Sequence, residues 1–180
     1  NTICKNKIYF NKKTRKRIKG LIAVHVHGFP CKIEKLRNIC KKYKIFLFED
    51  AAEALGSFYK GKHLGTFGDA SILSFNGNKT ITTGSGGAVL VKDKKTAQKL
   101  KHISTHAKIP SQTDFSHDYI GFNYRMSNLS AALGCAQLEN LKKILVAKRK
   151  NFLFYKKAFN KNRSITIMKE PKNSKTNYWL

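Results

Sequence analysis

The run Ser71-Ile72-Leu73-Ser74-Phe75-Asn76-Gly77-Asn78-Lys79-Thr80-Ile81-Thr82-Thr83-Gly84-Ser85-Gly86-Gly87-Ala88-Val89-Leu90-Val91 reads as an apolar strand, a glycine-bounded turn and a second strand. Toward the N-terminus, Leu21-Ile22-Ala23-Val24-His25-Val26 is expected to form a buried strand that Gly28 and Pro30 close. Residues 31–43 place Ile33, Leu36, Ile39 and Cys40 at helical spacing, and a strand is expected at 45–49. A short helix near 50–56 and a loop or hairpin through Lys60-Gly61-Lys62 lead into the quoted run. Beyond it, the reading is a helix at 93–104 starting at Asp93, an irregular loop at 105–120, and one long helix from Asn128 to about Phe159. Strands alternating with helices predict an α/β layer. The stripe Leu129, Leu133, Ala136, Leu141, Ile144 and Leu145 reads as core packing, with Ser127 or Asn128 as N-cap and Gly134 permitting a close helix approach.

Within the run, Lys79 stands alone among apolar, small and hydroxyl residues, whereas most of the other lysines sit in basic runs. A lysine in such surroundings loses hydration, which disfavours the charged form and leaves an amine able to bond a carbonyl carbon. The alternative is a glycine-rich turn carrying one exposed lysine. Phe46-Leu47-Phe48-Glu49-Asp50 ends a strand on an acid that opens onto Ala51-Ala52 and Glu53. Such an acid can point into the crevice at the carboxyl edge of a sheet, although a helix N-cap is its other reading. A carboxylate that keeps a pyridine nitrogen protonated, with a lysine that carries an aldehyde, is the minimum machinery for pyridoxal phosphate.

The chain has 180 residues, 41% of them hydrophobic, enough for a core of ordinary size. Lys and Arg number 36 against 10 Asp and Glu, a net charge of +26. Such charge raises nucleic acid as a partner, but the basic residues are scattered, which argues against a nucleic-acid site. Of two clusters, Lys12-Lys13-Thr14-Arg15-Lys16-Arg17 reads as a polar hairpin tip and Lys148-Arg149-Lys150 as a solvated helix face. Cys4, Cys31, Cys40 and Cys135 have no zinc spacing, and no metal is expected. His25 and His27 alternate on the expected strand and would share a face, in a structural or pocket-lining role rather than as metal ligands. With no signal-like segment or long apolar span, the expectation is a cytoplasmic protein with reduced thiols.

Phe48-Glu49-Asp50-Ala51-Ala52-Glu53-Ala54-Leu55-Gly56-Ser57, Tyr59-Lys60-Gly61-Lys62, Gly65-Thr66-Phe67-Gly68-Asp69, Ser74-Phe75 and Gly77-Asn78-Lys79-Thr80-Ile81-Thr82-Thr83-Gly84 together resemble the core of the DegT/DnrJ/EryC1/StrS family of nucleotide-sugar aminotransferases. Gly121-Phe122-Asn123-Tyr124-Arg125-Met126 and Asn128-Leu129-Ser130-Ala131-Ala132-Leu133-Gly134 continue it, so that it covers roughly residues 20–160. The resemblance implies an α/β large domain of the PLP-dependent transferase fold type I, aspartate aminotransferase-like, three-layer α/β/α. Residues 1–160 would be part of that domain, without the family's N-terminal portion, and 161–180 the start of a smaller C-terminal domain.

By the same resemblance, Lys79 holds pyridoxal phosphate as a Schiff base and moves protons, and Asp50 pairs with the pyridinium nitrogen. Ala52 lies against the ring face, and Glu53, where relatives often carry Gln or His, lies near the phenolic oxygen. Ser74 binds the phosphate, while Asn123, with Arg125 as a weaker candidate, reaches the phosphate of the other subunit of a homodimer with shared active sites. Ser85 departs from the Glu that many relatives carry. The implied reaction is transamination of a nucleotide-linked 4-keto-6-deoxy sugar for cell-surface polysaccharide or lipopolysaccharide. Asn11-Lys12-Lys13-Thr14 through Arg17-Ile18, Leu73 through Lys79, and Glu170-Pro171-Lys172 with Ser174 and Asn177-Tyr178-Trp179-Leu180 resemble the branch that uses UDP-2-acetamido-4-keto-6-deoxyhexoses with glutamate as donor. GDP- and dTDP-ketosugars are the alternatives, followed by a non-catalytic fragment and a basic nucleic-acid-binding module.

Overall fold

The computed structural model of the chain describes residues 2–5, 8–111 and 113–180. Residues 1, 6 and 7 of the N-terminal segment and residue 112 of the expected loop at 105–120 thus lie outside the described residues. Strands β1 (Thr2–Lys5) and β2 (Ile8–Asn11) pair antiparallel as a separate ribbon. Past β2, the side-chain oxygen of Asn11 accepts the N–H groups of Lys13 and Thr14 at 2.9 Å each, and Arg15 at φ 58° reverses the chain. The basic run is therefore a hairpin tip, as its polarity predicted.

The main sheet is built from β3 (Gly20–Val24), β4 (Phe46–Asp50), β7 (Ala70–Ser74) and β8 (Gly87–Val91). Its order is β3-β4-β7-β8, with the first three strands parallel and β8 antiparallel at the edge. Helix α1 (Ile33–Tyr43) returns the chain from β3 to β4 and stops at Lys44, whose left-handed φ of 49° turns its N–H onto the carbonyls of Cys40 and Lys41. Ile33, Leu36 and Cys40 of α1 pack on Leu21, Ala23, Leu47 and Leu73 of the sheet, and this is the core. The short strands β5 (Phe58–Tyr59) and β6 (Lys62–His63) form a hairpin whose Lys60 and Gly61 both take positive φ, 48° and 75°, the geometry that matches strand twist in a two-residue turn. Strand β9 (Ser174–Lys175) pairs antiparallel with β5, so the end of the chain is built into this layer.

Several expectations are corrected. The strand at 21–26 ends at Val24, and its other face is bare: Ile22 is 68% exposed, with Val24 and Phe46 also exposed beside it. His25 and His27 do not share a strand face, because Val26–Gly28 form a 3-10 turn; His25 is buried and His27 exposed. Where a helix was expected near 50–56, Asp50 ends β4 and residues 51–56 form turns. The Ala54 and Ser57 N–H groups close tight turns on the Ala51 and Ala54 carbonyls at 2.9 Å each, the carbonyls of Glu53 and Leu55 accept from the Asn177 amide at 2.8 and 2.9 Å, and Gly56 takes φ 83°.

Asp93 caps α2 (Lys94–Ile103) by accepting the Thr96 N–H, as read from the sequence. The expected long helix is two, α3 (Asn128–Glu139) and α4 (Leu141–Ala158), with Ser127 capping the first. At Asn140 the side-chain amide donates to the Ala136 carbonyl at 2.9 Å, the acceptor that a continuing helix would give to the Asn140 N–H, and α3 ends there. The stripe is not core in this chain: Leu129 is 87% exposed and Leu133 is also exposed, while Ile144 and Leu145 are half-buried. Gly134 does permit a close approach, but to the Lys79 turn rather than a helix, since a Cβ there would lie 3.0 Å from the Thr83 methyl.

Candidate active site

The carboxyl ends of β4 and β7 deliver Asp50 and Ser74. Asp50 is in register with Ile72, and Ile72 and Ser74 alternate onto one face, so the carboxylate and the hydroxyl share the bare face of the sheet. One Asp50 oxygen accepts the Ala52 N–H at 3.1 Å, which leaves the other without a hydrogen bond or an ion pair among the described residues. The turn this bond closes holds Ala52, whose methyl adds little bulk next to the acid. The Ser74 hydroxyl oxygen accepts the Asn76 N–H at 3.3 Å, and its hydrogen is free to donate.

The turn after β7 is set by its own residues. Lys79 N–H closes on the Asn76 carbonyl at 3.0 Å, Thr83 N–H returns to the Phe75 carbonyl at 2.9 Å, and Gly84 and Gly86 take φ of 81° and 101°. Lys79 emerges half-buried, its side chain 15% exposed, with Nζ 3.5 Å from Glu53 Oε1. Glu53 Oε2 accepts the N–H of His27 at 2.6 Å, so the carboxylate is fixed from the opposite side. On another side of Nζ lies the indole of Trp179, 4.2 Å away at its centroid, whose Nε1 donates to the Asn78 carbonyl at 2.6 Å. The surroundings of the amine are thus a carboxylate and an aromatic face.

Beneath this cluster, Glu49 is fully buried and accepts His25 Nε2 at 2.9 Å and the N–H groups of Gly65, Phe67 and Gly68 at 3.0, 2.7 and 2.5 Å. The Cys31 N–H reaches His25 Nδ1 at 3.3 Å, which assigns the ring proton to Nε2. Burial pushes the Glu49 carboxyl up, but the hydrogen bonds from His25, Gly68 and Gly65 outweigh it and hold the group below the usual carboxylate range. Burial, with Glu49 nearby, pushes the Cys31 thiol up to about 11.

Of the residues singled out in the sequence, Lys79 and Glu53 are in contact, Asp50 and Ser74 lie at adjoining strand ends, and Ala52 lies in the turn after Asp50. Asn123 and Arg125 are exposed and have no contact with Lys79 among the described residues. Their segment runs beside the end of α2, with Phe122 N–H on the Ile103 carbonyl at 2.7 Å and Tyr124 N–H on the Ser104 carbonyl at 3.0 Å. Sequence reading missed Asn177 and Trp179 as members of the site, while His27, read as structural or pocket-lining, meets Glu53 through its N–H. A signal for Trp179 was present: it is the chain's single tryptophan, and it lies in the stretch Asn177-Tyr178-Trp179-Leu180.

The chain is 42% identical to GDP-perosamine synthase of Escherichia coli O157:H7 over 93% of its own length and 45% of the relative's. It is 37% identical to UDP-4-amino-4,6-dideoxy-N-acetyl-beta-L-altrosamine transaminase of Campylobacter jejuni over 84% of its length and 41% of the relative's. The chain therefore spans less than half of these curated relatives. Among solved structures, Helicobacter pylori PseC, an aminotransferase involved in the biosynthesis of pseudoaminic acid, superposes with a TM-score of 0.78 and 31% identity, covering 81% of this chain and 39% of that one. Since the family model matches residues 2–180, across the strand ends and the turn that carry Asp50, Ser74 and Lys79, the chain belongs to the DegT/DnrJ/EryC1/StrS aminotransferase family and has its fold type I α/β architecture.

Proposed function

We propose that the complete protein is a pyridoxal phosphate-dependent aminotransferase acting on a nucleotide-linked 4-keto-6-deoxy sugar. The observation that carries this reading is the difference between two neighbouring acids: Glu53 is engaged by Lys79, while Asp50 at the strand end keeps an oxygen free. That donor set fits the cofactor, because an amine, an unpaired carboxylate and a hydroxyl able to donate are what its aldehyde, ring nitrogen and phosphate require. When bound, pyridoxal phosphate supplies an electron sink that lets an amino group leave one carbon and join another.

In this reading Lys79 would hold the cofactor and move a proton at Nζ, Asp50 would keep the ring nitrogen protonated, and Ser74 would bind the phosphate through its hydroxyl. Ala52 would leave room at the ring face, and Glu53 would lie near the phenolic oxygen. Asn123 and Arg125 would act on the phosphate of a partner subunit, which makes the assembly a homodimer. Their exposure supports that role, as do the exposed apolar groups Tyr119, Ile120, Tyr124 and Leu129 in the surrounding segments. We place residues 1–160 in the large domain and 161–180 as the lead into a smaller one, with 174–179 lying back against the large domain. No helix among the described residues is long and apolar enough to cross a membrane, and we assign the protein to the cytoplasm.

The finer proposal is a UDP-linked 2-acetamido-4-keto-6-deoxyhexose as acceptor and glutamate as donor. A GDP-linked ketosugar is the second reading, favoured by the higher identity to the GDP-perosamine synthase, 42% against 37% for the Campylobacter jejuni transaminase. Borohydride reduction of the full-length protein with pyridoxal phosphate should place the label on Lys79 by peptide mapping. Incubation with glutamate and the UDP-, GDP- or dTDP-ketosugar should give a 4-amino product by mass spectrometry from the UDP-sugar. Product from only the GDP- or dTDP-sugar transfers the assignment to that nucleotide, and a label on another lysine removes the cofactor reading.

A further inference from the structure

We infer that Trp179 is a positioning residue for the Lys79 amine, its indole face and the Glu53 carboxylate together giving the unbonded ammonium one resting place. The inference rests on the reading of Lys79 as the cofactor-bearing lysine. The indole is buried and held from several directions. Its Nε1 donates to the carbonyl of Asn78 at 2.6 Å, its backbone N–H donates to Asn177 Oδ1 at 3.1 Å, and the His27 ring stacks at 6.0 Å and 22°. Asn177 is itself buried. Its N–H donates to Ser57 Oγ at 3.0 Å and its amide to the Glu53 carbonyl at 2.8 Å, so the residue that fixes Trp179 also fixes the backbone of Glu53. Gly28 makes room for this arrangement, because a Cβ there would fall 2.1 Å from Asn177 Oδ1.

A lysine amine on its four-carbon stem spreads over many rotamers when nothing holds it. An ammonium is attracted to the negative face of an indole, and the attraction grows as the site loses water. Here Nζ lies 4.2 Å from the ring centroid and 3.5 Å from Glu53 Oε1, with the lysine side chain only 15% exposed. A lysine that bonds and releases a cofactor in every cycle must return to reach after each release. The rigid ring and the fixed carboxylate hold it there without bonding it. The ring comes from a segment about a hundred residues later in the chain, so the amine is placed only once residues 174–179 have docked.

The test uses the full-length protein freed of cofactor, with lysine labelled at its ε-carbon. In the wild type, the ε-methylene protons of Lys79, assigned by their loss in Lys79→Arg, should lie upfield of the other lysines because the indole ring current shields them. Trace acetylation with peptide mapping gives a second readout. Labelling of Lys79 relative to the other lysines should rise about fivefold in Trp179→Leu and stay near the wild-type value in Trp179→Phe, which keeps an aromatic face. An unshifted ε-methylene in the wild type overturns the inference, as does equal labelling of the Phe and Leu variants, since packing alone would not distinguish them. If Trp179→Leu does not fold, the wild-type shift and the Trp179→Phe labelling decide. A borohydride label on another lysine removes the cofactor reading and the inference with it, whereas a label on Lys79 with an unshifted ε-methylene overturns the inference alone.

Discussion

Asp50 and Glu53 show how little residue type says about role. Both are half-buried acids in the same turn region, yet one holds an amide N–H through a single oxygen and the other neutralises a lysine. For Asp50→Asn, we expect pyridoxal phosphate to stay bound while turnover falls by roughly a hundredfold or more, because an amide cannot keep a pyridinium proton as a carboxylate does. The cofactor's absorbance and the steady-state rate measure the two effects separately. Turnover within a few-fold of wild type would reassign Asp50 to holding the turn through the Ala52 N–H.

At the scale of elements, Glu49 joins β4 to the loop at 65–68 and, through His25, to the end of β3. Its carboxyl is held below the ordinary value in the fold, so the ionised form contributes stability that is complete above the unfolded carboxylate pKa, about 4.3. That contribution is lost as the pH falls through the folded value. Glu49→Gln removes the charge and turns an amide toward N–H donors, and should cost roughly 3 kcal/mol in urea unfolding at neutral pH. The gap between variant and wild type should hold down to about pH 5 and narrow below about pH 4. A gap that widens on acidification would show that Glu49 is not the ionised partner in the fold. The break between α3 and α4 belongs to the same scale: the apolar spacing on either side of Asn140 continues helically, and one side-chain hydrogen bond interrupts it.

Across the whole molecule, the positive charge is spread over several separate elements. Lys12 and Lys13 cap the ribbon turn, Lys41 and Lys42 end α1, Lys94 and Lys95 begin α2, and Lys142, Lys143, Lys156 and Lys157 lie along α4. A nucleic-acid site gathers its basic groups on one face with stacking aromatics between them. We therefore expect no tight, steeply salt-dependent binding of DNA or RNA in filter binding at moderate ionic strength. A binding constant that falls by orders of magnitude between low and physiological salt would contradict this.

The features that the sequence by itself determined are those that neighbouring residues settle between themselves. Apolar spacing defined α1 and the strands β4, β7 and β8, Asp93 set the start of α2, and Lys60-Gly61 set the β5-β6 turn. Lys79 and Asp50 stood out for the same reason, since their immediate neighbours announce a turn and a strand end. Tertiary structure decided what depends on contacts between distant residues. Asn177 ties down the turns after β4 through the carbonyls of Glu53 and Leu55, and Trp179 supplies the aromatic face over Lys79. The burial of a stripe is likewise a property of what lies opposite it, which is why the periodicity of Leu129 and Leu133 was legible while their exposure was not. A hydrogen bond across about a hundred residues leaves no local pattern, because neither end needs the other to satisfy its own sequence neighbourhood.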